Sequence, residues 1–426
     1  MVKRVLMVAY HFPPMRGSSG IQRTLKFAQY LPRFGWQPLV LSAHPRAYAR
    51  TGDDQMSEIA ADLPVERAFA LDTSRHLAFR GKYVGGMALP DRWSSWWLGA
   101  VPAGLRMIRR YRPDVIWSTY PIATAHLIGY TLHKLTGLPW VADFRDPMTD
   151  DGYPPDPAMR RVYQWIEKKT LMHCTRAVFS TPGTIRDHLR RFPAIPPSRF
   201  VLIENGYDEE NFASAATSAM PSPAPIAASP STPVATALRP LLLVHSGIIY
   251  PSERDPIPLF EALSALKQRG AIDAGRLRII LRATAHDDYL QPLIDKNDIA
   301  DIVQLAPPVA YRDALSEMLQ ADGLLILQAA NCNSQIPAKL YEYLRAQRPI
   351  LALTDAAGDT AQSLREAGID TIAALDVRSE IEAGLVRFLD LLRAGTAPVT
   401  PMEAVTQRSR EGRTRELAAL LESLEK

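Results

Sequence analysis

The sequence predicts an α/β protein of two doubly wound domains facing a central cleft, and three observations carry that prediction. A strand, a glycine loop, a helix and a second strand follow one another from VLMVAY at 5–10 to PLVLS at 38–42. The same grammar returns at LLLVHSG from residue 241, which runs through a polar loop into the helix-forming LFEALSALKQ. Between the two lies ASAATSAMPSPAPIAASPSTPVATALRP at 213–240, almost entirely Ala, Ser, Pro and Thr. It has no periodicity with which to build a core, so it reads as a linker. An α/β unit repeated across a linker is what a two-lobed enzyme requires.

Size and charge agree. A chain of 426 residues is comfortable for two domains of about 200 each. Net charge is +4, so nothing global argues for nucleic acid. Basic residues cluster at 106–112 and from Arg408 to Arg415; such clusters are either solvated faces or contacts to an anionic membrane surface. Cys174 and Cys332 stand far apart, which indicates neither a disulfide framework nor a zinc site and points to a reducing cytoplasm. The start, MVKRVLMVAY, imitates a signal peptide, but its apolar run ends at His11 and Pro-Pro follows. A buried first strand is the better reading. No segment reaches the ~18 apolar residues of a membrane span, so any membrane contact is expected from the surface.

Taken in order, the first loop holds Gly17-Ser18-Ser19-Gly20, which either brings backbone close to a ligand at a helix N-terminus or makes a tight turn. The helix after it carries Ile21, Leu25, Ala28 and Leu31 on one face. Trp93, Trp96 and Trp97 sit beside a helix ending in Arg109, Arg110 and Arg112; aromatic residues beside cations suit a membrane interface, whereas Trp is equally at home in a core. RPDVIWSTYP gives a strand at 114–118, and His126 falls within the helix TAHLIGYTLHKL, as a structural or a catalytic residue. WVADFRDPM at 140–148 is a strand running into Asp143, Arg145 and Asp146. Charges at a strand end are costly to bury unless paired, so this is either an Arg clamped between two Asp or a carboxylate that orients acceptor hydroxyls.

The second half carries the most chemistry. Ser246-Gly247 forms a turn after the strand, and Arg254 follows in the loop. Guanidinium binds phosphate oxygens bidentately. NCNSQIPAKLYEYLRAQRPILAL, running from Asn331 to Leu353, reads as a loop, a helix starting at Pro337, and a buried strand. Proline suits a first helical position, and the free N–H groups after it make an anion site. Leu340, Leu344 and Gln347 share one side; Lys339, Glu342 and Ala346 share another. The bland alternative is an ordinary α/β unit with Lys339 and Glu342 on a solvated face.

This last segment resembles the donor-site motif of glycosyltransferase family 4, the retaining enzymes of the GT-B fold. In that family two Glu separated by seven residues flank the nucleotide sugar. Glu342 fills the second place, Ser334 stands at the first, and Gln347 stands where Gly is usual. YHFPPMRGSSGIQRTLKFAQYLPRFGWQPLVLS, DFRDP and Asn205-Gly206-Tyr207-Asp208 resemble the family's first half. The resemblance implies a donor site of Gly17, Ser246, Gly247, Arg254, Ile336, Lys339 and Glu342, with Glu342 on the ribose. It offers His126, Asp143 and Asp146 as catalytic candidates. It implies an N-terminal acceptor domain at 1–212, a donor domain at 241–409, and a helix at 410–426 that returns to the N-terminal domain.

The expected activity is retaining, metal-independent glycosyl transfer from a nucleoside-diphosphate sugar to a glycan or polyprenyl-linked acceptor. The expected setting is cell-surface polysaccharide synthesis in the cytoplasm, at the inner face of the plasma membrane if the acceptor is a lipid. The sugar nucleotide is a co-substrate, and no cofactor or metal is expected. The Ser334 departure keeps a non-catalytic GT-B partner protein as an alternative, and the shared nucleotide keeps a GT-B sugar-nucleotide 2-epimerase. Neither Walker A, Gly-x-Ser-x-Gly nor HExxH occurs in the sequence.

Overall fold

The computed structural model describes residues 2–17, 20–53, 55–80, 82–150, 152–218 and 239–424. The chain divides into two compact units, Met1–Asn205 with Arg410–Lys426, and Gly206–Ser409.

Among the described residues the first unit holds seven strands: β1 Lys3–Val8, β2 Trp36–Ala43, β3 Val65–Ala68, β4 Val115–Thr119, β5 Trp140–Arg145, β6 Arg176–Phe179 and β7 Phe200–Leu202. All pair in parallel, in the order β3-β2-β1-β4-β5-β6-β7. A parallel sheet is covered on both faces, so its strands are apolar throughout rather than alternating. Accordingly Leu6 and Val8 pack into one core while Val5 and Met7 pack into another on the opposite face. The helix Arg410–Glu422 buries Leu417 and Leu421 in this second core.

Among the described residues the second unit holds six: β8 Leu241–Ser246, β9 Leu277–Arg282, β10 Val303–Ala306, β11 Gly323–Leu327, β12 Ile350–Leu353 and β13 Ile372–Ala373. They too are parallel, ordered β10-β9-β8-β11-β12-β13. In each sheet the strand order reverses once, beside β1 in the first and beside β8 in the second. Open α/β sheets bind ligands outside the strand C-termini at that reversal. In the second unit this brings Ser246-Gly247 and the loop after β11 to one place.

Three expectations are corrected. Residues 206–212 belong to the second unit, and a helix, Glu209–Ser218, runs into the segment read as linker. Asp208 starts it by accepting the N–H groups of Glu210 at 2.9 Å and Asn211 at 3.3 Å. Phe212 and Ala215 then join the core that holds Leu315 and Met318. The rest of that segment, 219–238, lies outside the described residues. Second, the helix expected from Pro337 spans Lys339–Ala346, two residues later. Third, the tryptophans are core: Trp96 is fully buried, while Trp93 and Trp97 pack against the same cluster. The indole N–H of Trp93 reaches the Ala47 carbonyl at 3.2 Å, and that of Trp97 the Thr131 hydroxyl at 3.0 Å. Among the described residues no helix is long and apolar enough to cross a membrane.

Candidate active site

At the reversal of the second sheet, β8 ends in His245, Ser246 and Gly247. Gly247 has φ +124°, and a Cβ there would lie 2.7 Å from the Lys339 Nζ. Only glycine lets the lysine come this close. His245 is fully buried and donates from Nδ1 to the Leu325 carbonyl at 2.9 Å. That bond leaves Nε2 as an acceptor, and the Lys339 ammonium donates to it at 3.2 Å. Burial and the Lys339 charge hold the His245 imidazole well below its ordinary pKa, so it is neutral. Lys339 itself is lowered to about 7, by burial first and then by the Arg254 charge, against the pull of Glu342. The site is electropositive and short of counter-charge.

Arg254 is held from the loop by a 2.7 Å bond to the Ile248 carbonyl, with its guanidinium 5.6 Å from the Tyr250 ring centroid. Its charge acts on both Lys339 and His245. The Ser246 N–H donates to the Tyr343 hydroxyl at 2.9 Å, tying the turn to the Lys339 helix. One turn along that helix, Glu342 accepts from the Tyr311 hydroxyl at 2.7 Å. The helix ends at Gln347 with φ +55°. That left-handed position is why glycine is usual there; Gln347 compensates by donating to the Leu344 and Thr400 carbonyls at 3.0 and 2.9 Å.

The structure therefore brings Ser246, Gly247, Arg254, Lys339 and Glu342 together. The Ile336 side chain is buried in the core beside Leu340. Gly17 belongs to the first unit, is exposed and has φ +84°; Ser18 and Ser19 lie outside the described residues. Sequence reasoning missed His245, Tyr343 and Tyr311. The histidine's place two residues before the turn glycine was the available signal for the first; nothing local marks the tyrosines.

Of the catalytic candidates of the first unit, His126 and Asp143 are buried and Asp146 is exposed. His126 is fully buried among Tyr120, Trp140 and Phe144, and its Nδ1 lies 2.9 Å from the Ser118 hydroxyl. Burial lowers its pKa to about 3, so it is a neutral core histidine. Asp143 is fully buried and spends both oxygens on Arg23, at 2.9 Å each, and one also on the Thr119 hydroxyl at 2.9 Å. Arg23 goes on to the carbonyls of Ile203 and Glu204. The clamp is thus Asp143–Arg23; Arg145, at φ +58°, reaches the Tyr120 carbonyl at 3.4 Å. Asp146 is exposed beside it. His11, at the end of β1, is lowered to about 3 by burial and the Arg145 charge.

Residues 19–206 match the family model of a glycosyl transferase 4-like domain. Over that stretch the chain is similar to the glycosyl transferase 4-like family. A curated relative, D-inositol 3-phosphate glycosyltransferase of Kineococcus radiotolerans, is 26% identical over 309 residues; the match spans 67% of this chain and 66% of that protein, just under two-thirds of its length. Among solved structures, Anabaena HepE in complex with UDP and glucose superimposes with a TM-score of 0.65 at 13% identity, covering 99% of this chain and 100% of that one. WaaG, a glycosyltransferase involved in lipopolysaccharide biosynthesis, gives 0.60 at 14%, covering 98% and 99%. These likenesses show that GT-B architecture is the fold of this protein.

Proposed function

We propose that the protein is a retaining, metal-independent glycosyltransferase that uses a nucleoside-diphosphate sugar. The observation that carries this reading is the Gly247–Lys339–Arg254 cluster at the strand reversal of the second unit. Two cations, one of them short of counter-charge, face the place where this fold binds ligands. In the proposed reaction the bond from the sugar's anomeric carbon to the phosphate oxygen breaks. The nucleoside diphosphate leaves with negative charge, and the acceptor oxygen bonds the same carbon on the same face. Arg254 and Lys339 stabilise the charge that develops on the leaving group, an effect that commonly dominates catalysis. They supply what a divalent cation would otherwise provide. The acceptor's proton passes to the leaving phosphate. Glu342, beside Tyr311, takes the ribose hydroxyls.

The acceptor is a glycan or a polyprenyl-linked sugar of cell-surface polysaccharide synthesis, handled in the cytoplasm. UDP, present in the HepE structure, is the first nucleotide to try. Locking of His126 and Asp143 in the core weighs against the 2-epimerase alternative, which needs mobile acid and base groups. Ser334 in the first Glu place still favours a non-catalytic partner protein as second reading. The test is transfer from radiolabelled nucleotide sugars in EDTA to a panel of glycan and lipid-linked acceptors. A product of retained configuration supports the proposal; nucleotide binding with no turnover on any acceptor supports the second reading.

A further inference from the structure

Beyond the site, one stretch of the first unit is unlike the rest of the surface. Phe79 is 77% exposed, Val84 70% and Leu98 63%, and Leu77, Tyr83 and Met87 are exposed beside them. A folded chain seldom leaves large apolar side chains this bare in one short stretch without a partner. The segment is nevertheless built: Phe79 and Lys82 exchange backbone bonds at 2.8 and 3.0 Å. The Met87 carbonyl accepts from the Thr73 hydroxyl at 3.1 Å and the Ser94 hydroxyl at 2.7 Å. These bonds hold the apolar tips outward while Trp93 and Trp96, next in sequence, pack into the core.

Charge identifies the partner. From Thr73 to Arg112 the sequence carries eight Lys and Arg against one carboxylate, Asp91, although the whole chain is nearly balanced at 49 to 45. Asp91 is buried and committed to the N–H and hydroxyl of Thr124, at 2.9 and 2.8 Å, so it offsets little of that charge at the surface. Arg75, Arg80 and Lys82 are exposed among the apolar tips, and Arg106, Arg109 and Arg110 continue along the exposed side of the helix Trp96–Tyr111. Bare apolar tips rimmed by cations fit a surface that offers hydrocarbon behind anionic headgroups. A nucleic acid would satisfy the cations and leave Phe79 and Val84 in water.

We propose that Phe79, Arg80, Lys82 and Val84 form a membrane-docking element that inserts Phe79 and Val84 into an anionic phospholipid surface while Arg80 and Lys82 engage its headgroups. This goes beyond the proposed transfer reaction, since docking does not require the chain to be an enzyme. The test is co-sedimentation of the full chain with vesicles of phosphatidylglycerol and phosphatidylcholine in equal parts, and with pure phosphatidylcholine.

The wild type partitions onto the mixed vesicles, is released by salt, and stays in solution with phosphatidylcholine alone. A Phe79→Ser/Val84→Ser variant and an Arg80→Glu/Lys82→Glu variant each lose at least about tenfold in partitioning. Both keep the wild-type Tm and nucleotide affinity, since these side chains are exposed. The proposal is overturned if the wild type ignores the mixed vesicles, or if both variants sediment as it does. It is equally overturned if sedimentation equilibrium shows a dimer that Phe79→Ser/Val84→Ser abolishes, because the patch would then be a self-interface. Loss of vesicle binding with nucleotide binding intact separates this proposal from the reading of the donor site.

Discussion

Binding of a nucleoside diphosphate is expected to draw a proton onto Lys339. In the empty site its pKa is about 7, against an ordinary 10.5. At pH 8 roughly nine-tenths of the molecules therefore carry a neutral amine. A diphosphate at Nζ supplies the missing counter-charge and returns the group toward its ordinary value, so binding takes up about 0.9 proton at pH 8, about 0.5 at pH 7 and about 0.1 at pH 6. The neighbours do not blur the count. His245 is held neutral far below this range, and a phosphate whose second pKa is about 6 is fully ionised at pH 8.

The assay is calorimetric titration at pH 8 in two buffers of different ionisation enthalpy, for the wild type and Lys339→Met. Affinity of the wild type should fall about tenfold per pH unit above 7, and the variant should show neither effect. A wild-type enthalpy independent of the buffer at pH 8, or equal uptake in Lys339→Met, would refute the reasoning.

Four further outcomes are expected. Without ligand, the folded state binds fewer protons than the unfolded between pH 7 and 10.5, so wild-type stability rises with pH across that window. Lys339→Met should be the more stable protein at pH 6, by a margin that narrows by about 1.4 kcal/mol per unit above pH 7 in urea unfolding. Arg254→Ala should weaken both nucleoside diphosphate and inorganic pyrophosphate by about 1.5–3 kcal/mol. Glu342→Ala should weaken only the nucleotide; equal losses for both ligands would take Glu342 off the ribose. Asp143→Asn strands a buried guanidinium and should cost about 3–5 kcal/mol of stability, read as a lower Tm with nucleotide affinity unchanged.

The strands were legible because a sheet covered on both faces needs continuous apolar runs, and VLMV, VIWS and LLIL are such runs. Local signals also drew attention to Gly247 and Lys339. What stayed hidden depends on groups far apart in the chain. Asp143 and Arg23 are separated by 120 residues, so the charged run around Asp143 invited pairing with its neighbour Arg145. His126 shows no periodic mark that separates a core ring from a catalytic one; only its enclosure by Tyr120, Trp140 and Phe144 does. The tryptophans misled by composition, since their apolar bodies fit a core as well as an interface. The helix at 209–218 escaped because its Ala-rich turn merges into the Ala- and Pro-rich stretch after it, and Asp208 looks like part of a family motif as much as a helix cap.

The central claim is that the strand reversal of the second unit is a nucleoside-diphosphate site needing no metal. Its most direct test is a calorimetric screen of UDP, GDP, ADP, CMP and dTDP in the presence of EDTA. The account predicts one diphosphate binding with one-to-one stoichiometry, and its loss in the Arg254→Ala variant. Binding by none of them, or binding that appears only when a divalent cation replaces EDTA, would contradict it.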